Sequence, residues 1–286
     1  MFLDNLNKNM ATFKEKAHIY VNFIKDNFMI VAKDGTVKRF YDDANHWRIQ
    51  EDFILNKATG RDVILKSRQL GFSSIILAIF TTDFLLKDNS YSLVVADKSD
   101  NAEDLLARVK FYIKSFEEIN QVKLDLKYNS KYELYNEAIN STYKIGTAEN
   151  KEVGRSKSLT GLHLSEFAFY PDPEAILRSA LQAVVPEGKI FIESTSNGFN
   201  FFKTFWEECK RKERPFNPLF YKASDFYSQD FLNQKKQELK EFFSQEYPNS
   251  DIESFISSGQ NYFDKQALKW YLENIREPIK NDLIYV

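Results

Sequence analysis

Apolar and polar positions recur with two different periods along this chain, and the switches between them lay out its elements. Over residues 1–34 the apolar side chains Phe13, Ala17, Tyr20, Ile24 and Phe28 fall at helical spacing, which predicts a helix ending at the turn Lys33, Asp34, Gly35. Residues 40–56 read as a second helical stretch. Short β-branched runs then follow at 63–66, 92–96, 142–146, 162–166 and 190–194, with helical patterns at 73–86, 101–119 and 173–183 between most of them. Strands alternating with helices predict an α/β fold with a mostly parallel sheet flanked by helices on both faces. Residues 128–133 and 142–146, with Asn136 and Asn140 between them, read as a local hairpin. A last strand is expected at 220–223. Beyond it, residues 225–286 are charged and aromatic, with helical periodicity at 231–243 and 265–274, which predicts a small C-terminal helical lid subdomain. The final run IKNDLIYV has strand character and nothing after it to pair with, as if cut.

Composition narrows the classes. With 286 residues, 43% hydrophobic and 28% charged, the chain is neither disordered, nor fibrous, nor a disulfide-stapled miniprotein. A single cysteine, Cys209, forbids an intramolecular disulfide and fits a reducing compartment. His18, His46 and His163 lie too far apart in sequence for a Cys/His zinc pattern. The longest apolar stretch, 72–80, is too short to span a bilayer, and the start MFLDNLNKNM lacks a signal-peptide core, so no membrane is expected and the location is cytoplasmic. Net charge is -2, so contact with nucleic acid has to come from local patches or from several assembled copies.

The first candidate site is KSRQLGFSS, from Lys66 to Ser74, between an expected strand and an expected helix. A tight turn there turns backbone N–H groups and a helix N-terminus toward phosphates. Against G-x-x-x-x-G-K-[ST], Gly71 takes the second glycine position and Ser73 the hydroxyl that reaches Mg²⁺. Lys66 takes the first glycine position and Phe72 the usual lysine position, so the cation has moved to the start of the loop, with Arg68 as a second one. A surface turn with two basic residues would show the same pattern. Two further strands end in chemistry. LTGLHLSEF finishes on Ser165 and Glu166, a carboxylate placed to orient water on a γ-phosphate. KIFIESTSNGF finishes in small polar groups that can sense that phosphate.

Together these segments resemble the ATPase region of the large terminase subunit of tailed bacteriophages, the motor that packages DNA into procapsids. The resemblance covers roughly residues 47–263. It implies a P-loop NTPase of the additional-strand, RecA-like kind, divided into an N-terminal helical extension (1–40), an ATPase core (41–224) and a C-terminal lid (225–286). KSRQLGFSS is similar to that family's deviant Walker A, which makes Lys66, Ser67, Gln69, Gly71, Ser73 and Ser74 the binders of ATP. LHLSEFAF is similar to Walker B, with Glu166 catalytic. Ser194, Thr195, Ser196 and Asn197 match the coupling motif. HWRIQEDFI resembles the adenine-recognition segment, with Gln50 as reader. By position Arg155 resembles a finger acting on a neighbouring subunit, and Arg68 can act within its own. EYPNSDIESFISSGQNYFD resembles the stretch that closes the ATPase region.

Two departures stand out. The family has Asp where this chain has Ser165, which leaves Ser73 and Ser165 as neutral oxygens for Mg²⁺ and predicts weak Mg²⁺ binding without nucleotide. Asp225, Asp230, Asp251, Glu253 and Asp264 lie in helical or loop contexts, so the metal-dependent nuclease common in such proteins is expected to be absent. The resemblance further implies double-stranded DNA, a portal and procapsid, a small terminase subunit and a homo-oligomeric ring (a pentamer when active, a monomer in solution) as partners, in the cytoplasm of an infected bacterium. The competing readings are another P-loop translocase or helicase, and a degenerate nucleotide-binding assembly subunit.

Overall fold

The computed structural model describes residues 12–32, 34–150, 153–154, 157–257 and 265–275. In chain order, helix α1 (Phe13–Asn27) leads into the hairpin β1 (Met29–Val31) and β2 (Val37–Arg39). Helix α2 (Ala44–Asp52) continues as one π-helical turn, Phe53–Lys57, into β3 (Arg61–Lys66). Then come α3 (Phe72–Leu86), β4 (Tyr91–Ala96), α4 (Ser99–Asn120), β5 (Tyr128–Asn129), β6 (Glu133–Asn136), β7 (Ser141–Thr147), β8 (Leu159–Ser165), α5 (Pro173–Ala183), β9 (Val184–Ser194), α6 (Phe201–Lys210) and β10 (Asn217–Tyr221). The remainder is helical: α7 (Gln229–Leu239), α8 (Phe243–Glu246), α9 (Asp251–Ser257) and α10 (Lys265–Asn274).

Eight strands form one sheet in the order β10, β3, β9, β8, β4, β7, β6, β5. From β10 to β7 every pairing is parallel; β5, β6 and β7 are antiparallel, which is the local hairpin expected there. The expected strand over 128–133 divides, because Ser130 and its neighbours turn: the Ser130 Oγ accepts from the amides of Tyr132 and Glu133 at 3.1 and 3.0 Å. The last strand starts three residues earlier than its apolar run suggests. It includes Asn217 and Pro218, which an edge strand tolerates.

Each central strand sends alternate residues to opposite faces. Ile64, Val94 and Phe191 join a core with α1, α3 and α4, whereas Val63, Leu65, Leu93, Val95, Leu162, Leu164, Ile190 and Ile192 join one with α5 and α6. Helix α3 is apolar on all sides, so it sits inside the first core; its Thr81 and Thr82 hydroxyls donate back to the carbonyls of Leu77 and Ala78 at 2.8 and 2.9 Å. Helix α1 belongs to the same core. Phe13 meets Phe191 edge-on, and the Tyr20 hydroxyl donates to the buried Asp83 of α3 at 2.9 Å. Lys189 of β9 pairs with the other oxygen of Asp83.

Candidate active site

The alternation that builds the two cores also builds the site. Lys66, Ser165 and Glu193 have the same parity as Ile64, His163 and Phe191, so all three side chains face α3. Register brings them level: Glu193 on β9 lies opposite Ile64 of β3 on one side and opposite Ser165 of β8 on the other. The Lys66 ammonium, 5% exposed, lies 3.0 Å from Glu166 Oε1 and 3.1 Å from Glu193 Oε2. Glu193 is fully buried, and its Oε1 accepts from the Ser73 and Ser165 hydroxyls at 2.8 and 2.7 Å, with His163 Nε2 at 3.3 Å.

Burial works against the charge on Lys66, but Glu166 and Glu193 outweigh it and hold the ammonium above its ordinary pKa. Burial likewise pushes Glu193 up. The Lys66 ammonium, with His163 and Ser165, reverses this and leaves that carboxyl well below the usual range, ionised. Glu166 goes the other way: burial and the Glu193 charge raise it against the pull of Lys66. One of two neighbouring carboxylates is thus a fixed anion, and the other is a better proton acceptor.

The loop after β3 is held from two sides. Gly71, at φ 75°, caps the N-terminus of α3, and its carbonyl accepts from Gln50 Nε2 at 3.1 Å. His46, a turn earlier on α2, lies with Nε2 3.0 Å from the Gln69 carbonyl. From the C-terminal segment, the Glu246 carbonyl accepts from the Arg68 amide at 2.9 Å and the Ser67 hydroxyl at 3.1 Å, and its carboxylate pairs with Arg68 at 3.0 Å. Tyr227 donates to the Arg68 carbonyl at 2.7 Å. Ser74 accepts from Arg108 of α4 at 3.4 Å.

Next to Glu193, the small polar run meets both Glu166 and the C-terminal segment. The Thr195 amide reaches Glu166 Oε2 at 3.5 Å, and the Ser194 hydroxyl accepts from the Ala168 amide at 3.1 Å. Asn197 donates to the Ala168 carbonyl at 3.2 Å. The Ser196 hydroxyl donates to the Ser254 carbonyl of α9 at 2.8 Å, and Gln245 donates to the Ser196 carbonyl at 3.4 Å.

These groups line a cleft of about 1010 Å³ at the C-terminal ends of the strands, where parallel α/β sheets bind ligands. Gln50, Lys66, Arg68, Gln69, Gly71, Ser73, Ser74, Ser165, Glu166 and Thr195 all border it. Ser67, Ser194, Ser196 and Asn197 are not among the residues that line it. Arg155 lies outside the described residues. Gln50 is 3% exposed, and its Oε1 is buried without a hydrogen-bond partner. Among the described residues no group of three or more His, Cys, Asp or Glu can hold a metal ion. Ser73, Ser165 and Glu193 are nonetheless hard oxygen donors gathered on one spot, a set that suits a Mg²⁺ arriving with phosphates.

Glu193 and Glu246 are not among the sequence candidates. Glu193 was visible in principle, as a charge with the parity of Phe191 in a strand otherwise apolar at 190–192. Nothing in EYPNSD marks Glu246, because its role depends on where the C-terminal segment docks.

No protein-family model matches this chain, and no curated protein does either. Solved structures do. The ATPase domain of the Thermus phage P74-26 large terminase is 19% identical with TM-score 0.52, over 67% of this chain and 88% of that one. The large terminase of bacteriophage HK97 is 14% identical with TM-score 0.61, over 83% of this chain and 55% of that one. A thermophilic bacteriophage's large terminase, solved with ATP-gamma-S, is 12% identical with TM-score 0.52, over 71% and 51%. The chain therefore has the RecA-like P-loop fold of the ATPase domains of phage large terminases.

Proposed function

We propose that this chain is the ATPase motor of a phage large terminase, hydrolysing Mg²⁺-ATP to drive double-stranded DNA into a procapsid. What carries the reading is the meeting of Lys66 and Glu166, at 3.0 Å, at the tips of two non-neighbouring strands beside a loop that opens a helix. Gln50, whose buried Oε1 lacks a partner, is the adenine reader. The triphosphate takes Lys66 from its carboxylates and lies against the amides that lead into α3. Bound Mg²⁺, held by Ser73 and the phosphates, would neutralise charge developing on the transferred group. Glu166, with its raised pKa, orients the attacking water and accepts its proton. Ser194, Thr195, Ser196 and Asn197 carry the change to the C-terminal lid, 225–286, through the Ser196–Ser254 contact.

The motor acts as a ring on a portal, with a small subunit as partner, in the cytoplasm of the infected host. Arg155 serves as the finger from the neighbouring copy and Arg68 as one in cis, once nucleotide draws it from Glu246. Cutting of DNA is not among the activities of residues 1–286 in this reading.

The test is a titration with a fluorescent ATP analogue, followed by ATPase assays with and without DNA. Wild type binds and hydrolyses, and DNA raises turnover. Lys66→Ala loses binding by at least about tenfold, the loss expected of one charge-assisted contact. Equal binding by wild type and Lys66→Ala overturns the reading.

A further inference from the structure

Position 165 is a serine, yet the spot beside it is not short of an anion. Glu193 reaches the same place from β9, the strand that stands between β3 and β8. Its Oε1 accepts hydrogen bonds from the hydroxyls of both Ser73 and Ser165, at 2.8 and 2.7 Å. A hydroxyl that donates backwards to a buried carboxylate turns its lone pairs forwards, so Ser73 is oriented to meet a cation from the cleft.

We propose that Glu193 is the acidic residue of the magnesium site in this chain, displaced by one strand from the position where a carboxylate at residue 165 would stand. It acts behind Ser73 as a positioning residue. The proposal rests on the nucleotide reading above and adds to it the source of metal dependence. In the free protein Lys66 balances the Glu193 charge at 3.1 Å. When phosphates draw Lys66 away, a fully buried carboxylate is left without its counter-ion, and a divalent cation restores the balance. Nucleotide without metal gains Lys66 only by baring Glu193. Affinity for ATP is therefore tied to Mg²⁺ through this one side chain.

The experiment measures the affinity of a fluorescent ATP analogue in EDTA and in excess Mg²⁺, for wild type, Glu193→Gln and Ser165→Asp/Glu193→Gln, with circular dichroism to establish folding. Wild type binds more tightly with Mg²⁺. In Glu193→Gln the Mg²⁺ enhancement falls by about 10–100-fold, the usual cost of losing an outer-shell partner of a metal. Its metal-free affinity stays the same or improves, because Lys66 has one anion fewer to leave. The double variant puts the charge back on the neighbouring strand and recovers the enhancement; if the single variant does not fold, this result decides alone. An undiminished enhancement in Glu193→Gln overturns the proposal, as does a folded double variant without it. If wild type binds no nucleotide in either buffer, it is the ATPase reading that fails; if Lys66→Ala abolishes binding while Glu193→Gln keeps the enhancement, only the present one does.

Discussion

Glu166 stands at φ 55° and ψ 45°, a left-handed conformation that costs a non-glycine residue on the order of 1–3 kcal/mol. It ends β8 abruptly and starts the 3₁₀ turn Phe167–Phe169, so the carboxylate swings toward Lys66 instead of continuing along the strand. Gln69, at φ 62°, and Gly71, at φ 75°, bend the opposite wall of the cleft in the same way. At Gly71 two requirements coincide. A Cβ would meet Gln50 Nε2 at 2.4 Å, and the backbone angle already disfavours any side chain. Gly71→Ala is therefore expected to destabilise the protein by about 1 kcal/mol or more. It should also weaken nucleotide binding, since Gln50 has to move. Thermal unfolding and a nucleotide titration of the variant check both; wild-type values in both would mean that the turn is slack.

Among elements, α1 shows how a helix outside the sheet becomes part of it. Its apolar stripe is legible in the sequence, whereas its start at the Thr12 capping box and its anchor emerge only in the structure. That anchor is Tyr20, Asp83 and Lys189, drawn from α1, α3 and β9, three residues that no spacing rule connects. Burial lowers the pKa of Lys189, only partly offset by Asp83, so the pair is held against a desolvation cost. Lys189→Met is expected to cost about 3–5 kcal/mol by leaving Asp83 buried without its ion-pair partner, and Asp83→Leu/Lys189→Met to recover most of that loss. Urea unfolding of the two variants distinguishes this from an indifferent surface contact. The parallel strands were easier to read, because a strand buried on both faces is a continuous apolar run. The 3₁₀ and π turns around α2 merge with it in the sequence pattern, since their apolar periodicity differs little from the α-helical one.

At the scale of the whole molecule, the C-terminal segment touches the core at the loop after β3, at the strand exit after β9 and on α6. The last contact is polar: Asp251 accepts from Trp206 Nε1 at 3.0 Å and pairs with Lys210 at 2.7 Å. Burial pushes Asp251 up, but Lys210 and Trp206 outweigh it and hold the carboxyl below its ordinary value. A depressed folded pKa means stability that is complete above the ordinary carboxylate pKa of about 3.9 and disappears as the pH falls through the lower folded value. Asp251→Asn is expected to be less stable than wild type by about 1–2 kcal/mol at neutral pH, with the gap closing in acid. Melting curves across that range give the answer; a gap independent of pH would mean that packing, not charge, holds the joint. Helical periodicity points to helices here without saying where they dock, because docking is set by Ser196, Glu246 and Asp251 meeting partners far away in sequence.

The place of β9 has a mechanical consequence. With one strand wedged between the lysine strand and the glutamate strand, and ladders of backbone hydrogen bonds on both its sides, the span from Lys66 to Glu166 works as a fixed calliper. Widening it would shear two ladders at once. In the proposed motor, a stroke then comes from what hangs off the strand tips, the turns and the helices tethered to them, while the sheet itself stays still and serves as the anvil.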